Sequence, residues 1–205
     1  KDFIKPIRES LDDADPDVRS AAAYALLEYG DTRSVKEVRE MLRDPVEAVR
    51  SSVARGLGEY GNDASLTYFE DLCKDENETK AVKLAAVRGL SFSPREKSVD
   101  ILVGYLKAAV EPELQEQVYG ALARKGSSKE IMALVSHLKD AEHELREKLV
   151  HVFSKMGRES EAVLVELLRE DIASLRPYIT SVLEETGFID HTIRKLSHRD
   201  PEIRR

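Results

Sequence analysis

The apolar residues Val18, Val49, Val82, Leu114, Leu145, Leu175 and Ile203 recur at spacings of 31, 33, 32, 31, 30 and 28 residues. Eight positions after each of the first six stands a second large apolar residue: Leu26, Leu57, Leu90, Leu122, Phe153 and Leu183. Four further on comes a glycine in five of the six units, Gly30, Gly61, Gly126, Gly157 and Gly187, and Pro94 takes that slot in the third. A fixed period in this range belongs to solenoids, whose units are too small to bury their own apolar face and bury it against their neighbours. The pattern therefore argues against a single globular core and for a stacked array that presents a long surface.

Each unit reads as a pair of helices. In the clearest copy, Asp44-Pro45 opens a helix, because Asp can cap free amide groups and Pro is tolerated in the first turn. Val49, Val53 and Leu57 follow at helical spacing, and Ala54 and Gly56 keep that helix slim enough for a close neighbour. Gly61 is expected to end it in the left-handed conformation. Leu66, Phe69, Leu72 and Cys73 form the apolar stripe of the second helix, and Asp75 opens the next unit. The same reading places unit starts near 15, 44, 75, 111, 140, 171 and 200. The first helices (A) are expected at 16–29, 46–60, 77–91, 112–125, 142–156 and 172–186, and the second (B) at 33–43, 64–74, 96–109, 128–139, 159–170 and 189–198. Residues 2–13 read as the B helix of a preceding unit, and Pro177 should kink the sixth A helix or shift its start.

Helix pairs carrying D-P-x-V-R, then A-x-x-L, then a terminal glycine resemble HEAT repeats. The matching residues are Asp15, Pro16, Val18, Arg19, Ala23, Leu26 and Gly30, then Asp44, Pro45, Val49, Arg50, Ala54, Leu57 and Gly61. The period near 31 resembles the short HEAT-like repeats of the phycobilisome lyase subgroup, shorter than the usual length of about 40–47. The resemblance implies an all-α right-handed superhelix, a solenoid of about six HEAT-like hairpins spanning 1–205 as one domain. It also implies a polar ladder, in which Arg19 and Arg50 reach the Asp that opens a neighbouring repeat. Arg follows the apolar residue again at Arg146, Arg176 and Arg204, whereas Lys83 and Gln115 depart from the pattern.

Composition narrows the function. Net charge is −7, and six of those seven charges fall in residues 1–75. Binding to a phosphate backbone wants a basic stripe, so nucleic acid is not the expected partner. Cys73 stands alone, which excludes an intrachain disulfide and fits a reducing compartment; its expected role is that of a small buried hydrophobe, and the expected location is the cytoplasm. The apolar runs are too short for a membrane span, and no signal peptide is visible. The chain opens at Lys1 within an amphipathic stretch (Phe3, Ile4, Ile7, Leu11) and stops five residues after Asp200, so a piece of a longer protein is expected, with the cytosolic part of a membrane-attached one as an alternative.

Catalytic patterns are sparse. No two of His137, His143, His151, His191 and His198 have the i, i+3 or i+4 spacing that turns two ligands to one side of a helix. His143-Glu144 is a lone copy of the dipeptide that HEAT-like deoxyhypusine hydroxylases use several times to hold iron. HEAT-like alkyl-purine glycosylases use an Asp among aromatics in a basic groove, which this acidic, Trp-free chain does not offer. No feature specifies the pigment pocket of a phycobilin lyase, although a lyase-like factor remains the alternative class. No metal, cofactor or catalytic residue is expected.

The expected function is non-catalytic: a scaffold or regulatory module that binds another protein or another domain of its own chain. The B helices should line the concave face. Eight positions after the glycine, Val38, Phe69, Leu134 and Val165 read as their buried stripe, with Lys195 the exception. One step around, the face turns from charged, with Lys36, Arg39 and Glu40, to apolar, with Met132, Val135, Val163 and Leu167. That gradient nominates a groove floored by Met132, Val135, Val163 and Leu167 with a charged approach at Lys36 and Arg39. The competing reading is that those apolar positions are core. A basic cluster near the C-terminus (His191, Arg194, Lys195, His198, Arg199, Arg204, Arg205) is a second candidate for an acidic partner.

Overall fold

The computed structural model describes residues 3–61, 63–109, 111–169 and 173–197. The expected unit starts at Asp171 and Asp200, together with His198, Arg199, Ile203, Arg204 and Arg205, lie outside the described residues. Among the described residues there are thirteen α-helices and no strand. After α1 (Ile4–Glu9), which runs into a 3-10 turn at Ser10–Asp12, six helix pairs follow in the expected order. They are α2 (Pro16–Glu28) and α3 (Val35–Glu40, extended by the 3-10 turn Met41–Arg43), α4 (Glu47–Tyr60) and α5 (Asp63–Lys74), then α6 (Lys80–Phe92) and α7 (Lys97–Ala108). The second three are α8 (Pro112–Ala123) and α9 (Ser128–Asp140), α10 (His143–Met156) and α11 (Arg158–Leu167), then α12 (Arg176–Glu185) and α13 (Phe188–Leu196).

Two compact units divide the chain, Lys1–Leu122 and Ala123–Arg205. In the first, α2, α4 and α6 pack side by side as one layer, and α5 packs on α7 in a second. Val49, Val53, Ala54, Leu57, Val82, Ala86 and Leu90 are almost wholly buried between these layers. Each fully buried Leu or Val contributes on the order of 2 kcal/mol against its exposed state. Gly58 and Gly89 allow α4 and α6 to touch backbone to backbone: a Cβ on Gly58 would stand 2.5 Å from the Gly89 carbonyl carbon. In the second unit, α10 packs on α12, with α9 and α11 against α10 and α13 against α12; Leu149, Val152, Phe153, Leu164, Leu175 and Ile179 form its core.

Several local expectations shift. Asp15 caps α2 through the Asp17 amide at 2.9 Å, as the Asp-Pro signature implies. Asp44 instead accepts from the Val46 amide at 2.9 Å, outside the helix, because the two residues inserted before Val49 delay α4 to Glu47. Thr79, not Asp75, caps α6. Pro177 sits in the first turn of α12, where it sets the start at Arg176 and causes no kink. Gly61 is not left-handed: its φ is −63°, and it is glycine because a Cβ would collide with the Leu57 carbonyl and crowd Ser65. Positive φ occurs at Gly30, Gly157 and Gly187.

Three positions of the repeat frame differ in burial: Val18, Leu145, which is half-buried, and Val165. Val18 is 37% exposed. Val165 is half-buried, and Leu164 takes the core slot. The helix α11 begins directly after Gly157, without an intervening residue, so its register moves back by one.

Candidate interaction surface and the polar ladder

The ladder begins with a problem of helix ends. Carbonyls at the end of each B helix and in the loop after it lack intrahelical donors and carry the negative end of the dipole. A cationic or amide side chain on the next A helix answers them. Arg19 donates from Nη1 to the Asp13 and Ala14 carbonyls at 2.9 and 3.1 Å. Arg50 does the same to Asp44 and Pro45 at 2.8 and 3.3 Å. Gln115 donates to the Ala109 carbonyl at 2.7 Å, and Arg146 to those of Leu138 and Lys139 at 3.2 and 3.1 Å.

Two of these side chains also bridge forward to a carboxylate. Arg19 grips Asp44 with two hydrogen bonds of 2.9 and 3.0 Å, as the resemblance implied. Arg50 makes the same two-pronged contact, 3.0 Å on each prong, but to Glu78 in place of the expected Asp75. The reason is the late start of α6: Asp75 folds back onto the Asn77 amide at 2.9 Å, and Glu78 is the acid that stands before the helix. The Arg19 hydrogen bonds hold the Asp44 carboxyl below its ordinary range. Burial pushes Glu78 up, yet the Arg50 and Thr79 hydrogen bonds outweigh it and leave Glu78 lowered as well. Gln115 and Arg146 show that the carbonyl contact persists where, among the described residues, no forward contact to a carboxylate is made.

The exposed face of the B helices differs between the two units. In the first unit Lys36 is exposed, and Arg39 lies half-buried with its guanidinium 4.7 Å from the Tyr68 ring centre. Between α5 and α7 a hollow of about 490 Å³ opens beside Gly104, where a Cβ would meet no atom within 4 Å. Its wall is Cys73, Ile101 and Ala108, and its rim is Glu70, Lys74, Asp100 and Lys107. Burial pushes the Cys73 thiol up to about 11, so the sulfur is a neutral wall atom at pH 7 and not a nucleophile.

In the second unit the four nominated apolar residues separate. Val135 and Leu167 are 1% and 5% exposed and belong to the core, because Val135 shares a stripe with Ile131, Leu134 and Leu138, and Leu167 one with Leu164. Met132 is 53% exposed and Val163 half-buried, so these two remain at the surface. His191, Arg194 and Lys195 are exposed on α13 beside Ile193 and Leu196.

Other polar groups pair inside the second unit. Lys125 is buried, 3.5 Å from Glu130, whose carboxylate also completes a capping box with Ser127 at the start of α9. Burial lowers the Lys125 ammonium, and Glu130 opposes that. The Ser127-x-x-Glu130 pattern was the legible signal. His143 sits in the first turn of α10, 2.7 Å from the Tyr178 hydroxyl and 3.3 Å from Glu147. Among the described residues no group of three or more His, Cys, Asp or Glu converges as a metal site, and no helix is long and apolar enough to cross a membrane.

Residues 4–91 match the family model for HEAT repeats. No curated protein matches the chain. Among solved structures, an engineered protein is 18% identical, with 91% of this chain and 97% of that one covered, at a TM-score of 0.48. The complex of CpcE and CpcF of phycocyanin lyase from Nostoc sp. PCC7120 is also 18% identical, with 96% and 81% covered, at a TM-score of 0.50. That likeness is one of fold. The chain is thus an all-α helical-repeat protein of the solenoid type whose stretch 4–91 matches the HEAT-repeat family model.

Proposed function

We propose that this chain is a non-catalytic binding module that docks another protein, or another domain of its own chain, on the exposed face of its B helices. The observation that carries the reading is the Gly104 hollow: an apolar floor ringed by charged side chains of both signs, the composition of an interaction site. Helical repeats suit the role, since each added pair extends the same surface. In the second unit Met132 offers a flexible apolar contact of the kind that adapts to a partner. The single neutral cysteine suits work in the reducing cytoplasm.

The test is affinity capture of the partner by the full-length protein, repeated with Gly104→Leu, which fills the hollow, and with Met132→Glu. Loss of capture with Gly104→Leu in a protein that retains its helical content supports the reading. Unchanged capture with both variants moves the binding surface away from the B helices.

A further inference from the structure

In the third repeat the ladder contact is missing, and a cleft stands there. Lys83 occupies the position held by Arg19, Arg50, Gln115 and Arg146 in four other repeats. Unlike them it is half-buried without any hydrogen bond or ion pair, to a loop carbonyl or to a carboxylate. Beside it lies a cleft of about 340 Å³ lined by Cys73, Lys83, Tyr105, Ala109 and Leu114, with Glu76, Glu78, Lys80 and Glu111 at its margin.

Tyr105 supplies the second observation. Its side chain is 1% exposed and its hydroxyl has no hydrogen-bond partner. A buried hydroxyl left unpaired is costly, and such groups in folded proteins call for an explanation. Tyr105 itself lines the cleft, together with Cys73 and Glu78.

The remaining groups define what fits. Glu78 is taken by Arg50, and Lys80 by Glu111 and Glu113. The polar groups without a partner inside the cleft are the Lys83 ammonium, the Tyr105 hydroxyl and the weakly donating Cys73 thiol, so the interior offers donors. Ala108, Ala109 and Leu114 add an apolar wall. The acidic margin disfavours a doubly charged anion.

We infer that this cleft in the third repeat binds a small aliphatic carboxylate, with Lys83 pairing its charge, the Tyr105 hydroxyl donating to the same group and the Leu114 wall receiving the alkyl part. A carboxylate there supplies the acid that Asp44 and Glu78 supply from within the chain to the two preceding repeats. The carboxylate can come from a free acid or from the C-terminus of a peptide.

The test is an amide NMR titration of the full chain with sodium propionate, with the neutral isostere propionamide, with inorganic phosphate, and with acetyl-dialanine bearing a free or an amidated C-terminus. The expected result is saturable shifts at Cys73, Lys83, Tyr105 and Ala109 with propionate and none with propionamide. Lys83→Met should bind propionate about tenfold more weakly or worse, the loss of one charge-assisted hydrogen bond. Lys83→Arg, which can span to the loop carbonyls, should close the site while keeping the native spectrum. Shifts that never saturate, an equal response in Lys83→Met, or phosphate binding as tightly as propionate would each overturn the assignment. Tighter binding of the free-acid peptide than of propionate upholds the carboxylate and assigns its source to a chain terminus; the reverse upholds it and assigns a free acid.

Discussion

Replacing glycine by alanine should move stability in opposite directions at two helical sites of the same compact unit. At Gly104, in the interior of α7, an added Cβ meets nothing within 4 Å. Alanine there gains helix propensity alone, about 1 kcal/mol. At Gly58, in α4, the same Cβ would lie 2.5 Å from the Gly89 carbonyl carbon and 2.6 Å from the Leu90 amide nitrogen. Ordinary carbon contacts are about 3.5–4.0 Å, so relief requires the two backbones to part by about 1 Å. No rotamer change can supply it, because both partners are main chain. Parting α4 from α6 loosens Val53, Ala54, Leu57, Ala86 and Leu90, all at most 1% exposed. Overpacking of this sort costs about 1–3 kcal/mol or more, against the same propensity gain of about 1 kcal/mol. Gly58→Ala should then destabilise by up to about 2 kcal/mol while Gly104→Ala stabilises by about 1, a separation of about 1–3 kcal/mol for one chemical change. Both sites lie in Lys1–Leu122, so urea unfolding followed by far-ultraviolet circular dichroism reads them on the same transition. If Gly58→Ala proved as stable as Gly104→Ala, the α4–α6 backbone contact could not be what holds the A layer together.

The other predictions concern polar groups. Arg50→Met removes the Glu78 bridge and two carbonyl contacts and should cost about 1–2 kcal/mol; an unchanged urea midpoint would remove the ladder from the account of stability. Asp44 and Glu78 are both lowered in the folded protein, so on acidification the unfolded chain takes up protons first. Their contribution is complete above the ordinary carboxylate range of about 4 and fades as pH falls below it, and midpoints measured across that window should fall less steeply in Arg50→Met than in the parent. Tyr105→Phe deletes an unpaired buried hydroxyl at constant shape and should raise the melting temperature in ligand-free buffer, by about 1 kcal/mol of stability; a lower melting temperature would show that the hydroxyl is satisfied.

The periodic residues were the legible part. Leu26, Leu57, Leu90, Leu122, Phe153 and Leu183 are each at most 2% exposed, so the eight-residue offset identified the core of every A helix. Asp15-Pro16 marked its helix start, and Pro177 marked another. Spacing served less well for the apolar B-helix residues. All four are apolar, but Met132 and Val163 stand six positions after their glycines, and Val135 and Leu167 nine and ten; the first pair is at the surface and the second is core. A difference of one position around a helix decides that, and loop length sets it, as the early start of α11 after Gly157 shows.

What the sequence settled by itself is what repeats: an apolar residue every turn of a stack is enough to dictate paired helices, because burial is a sum over many similar contacts and tolerates local error. What only the tertiary structure decided is where a repeat departs from its neighbours. Glu78 in place of Asp75 as the partner of Arg50, the hollow beside Gly104 and the unpaired hydroxyl of Tyr105 at Lys83 each depend on distances of a few ångströms between residues of different helices. Such distances follow from how whole helices seat on one another, and no short window of residue types contains them.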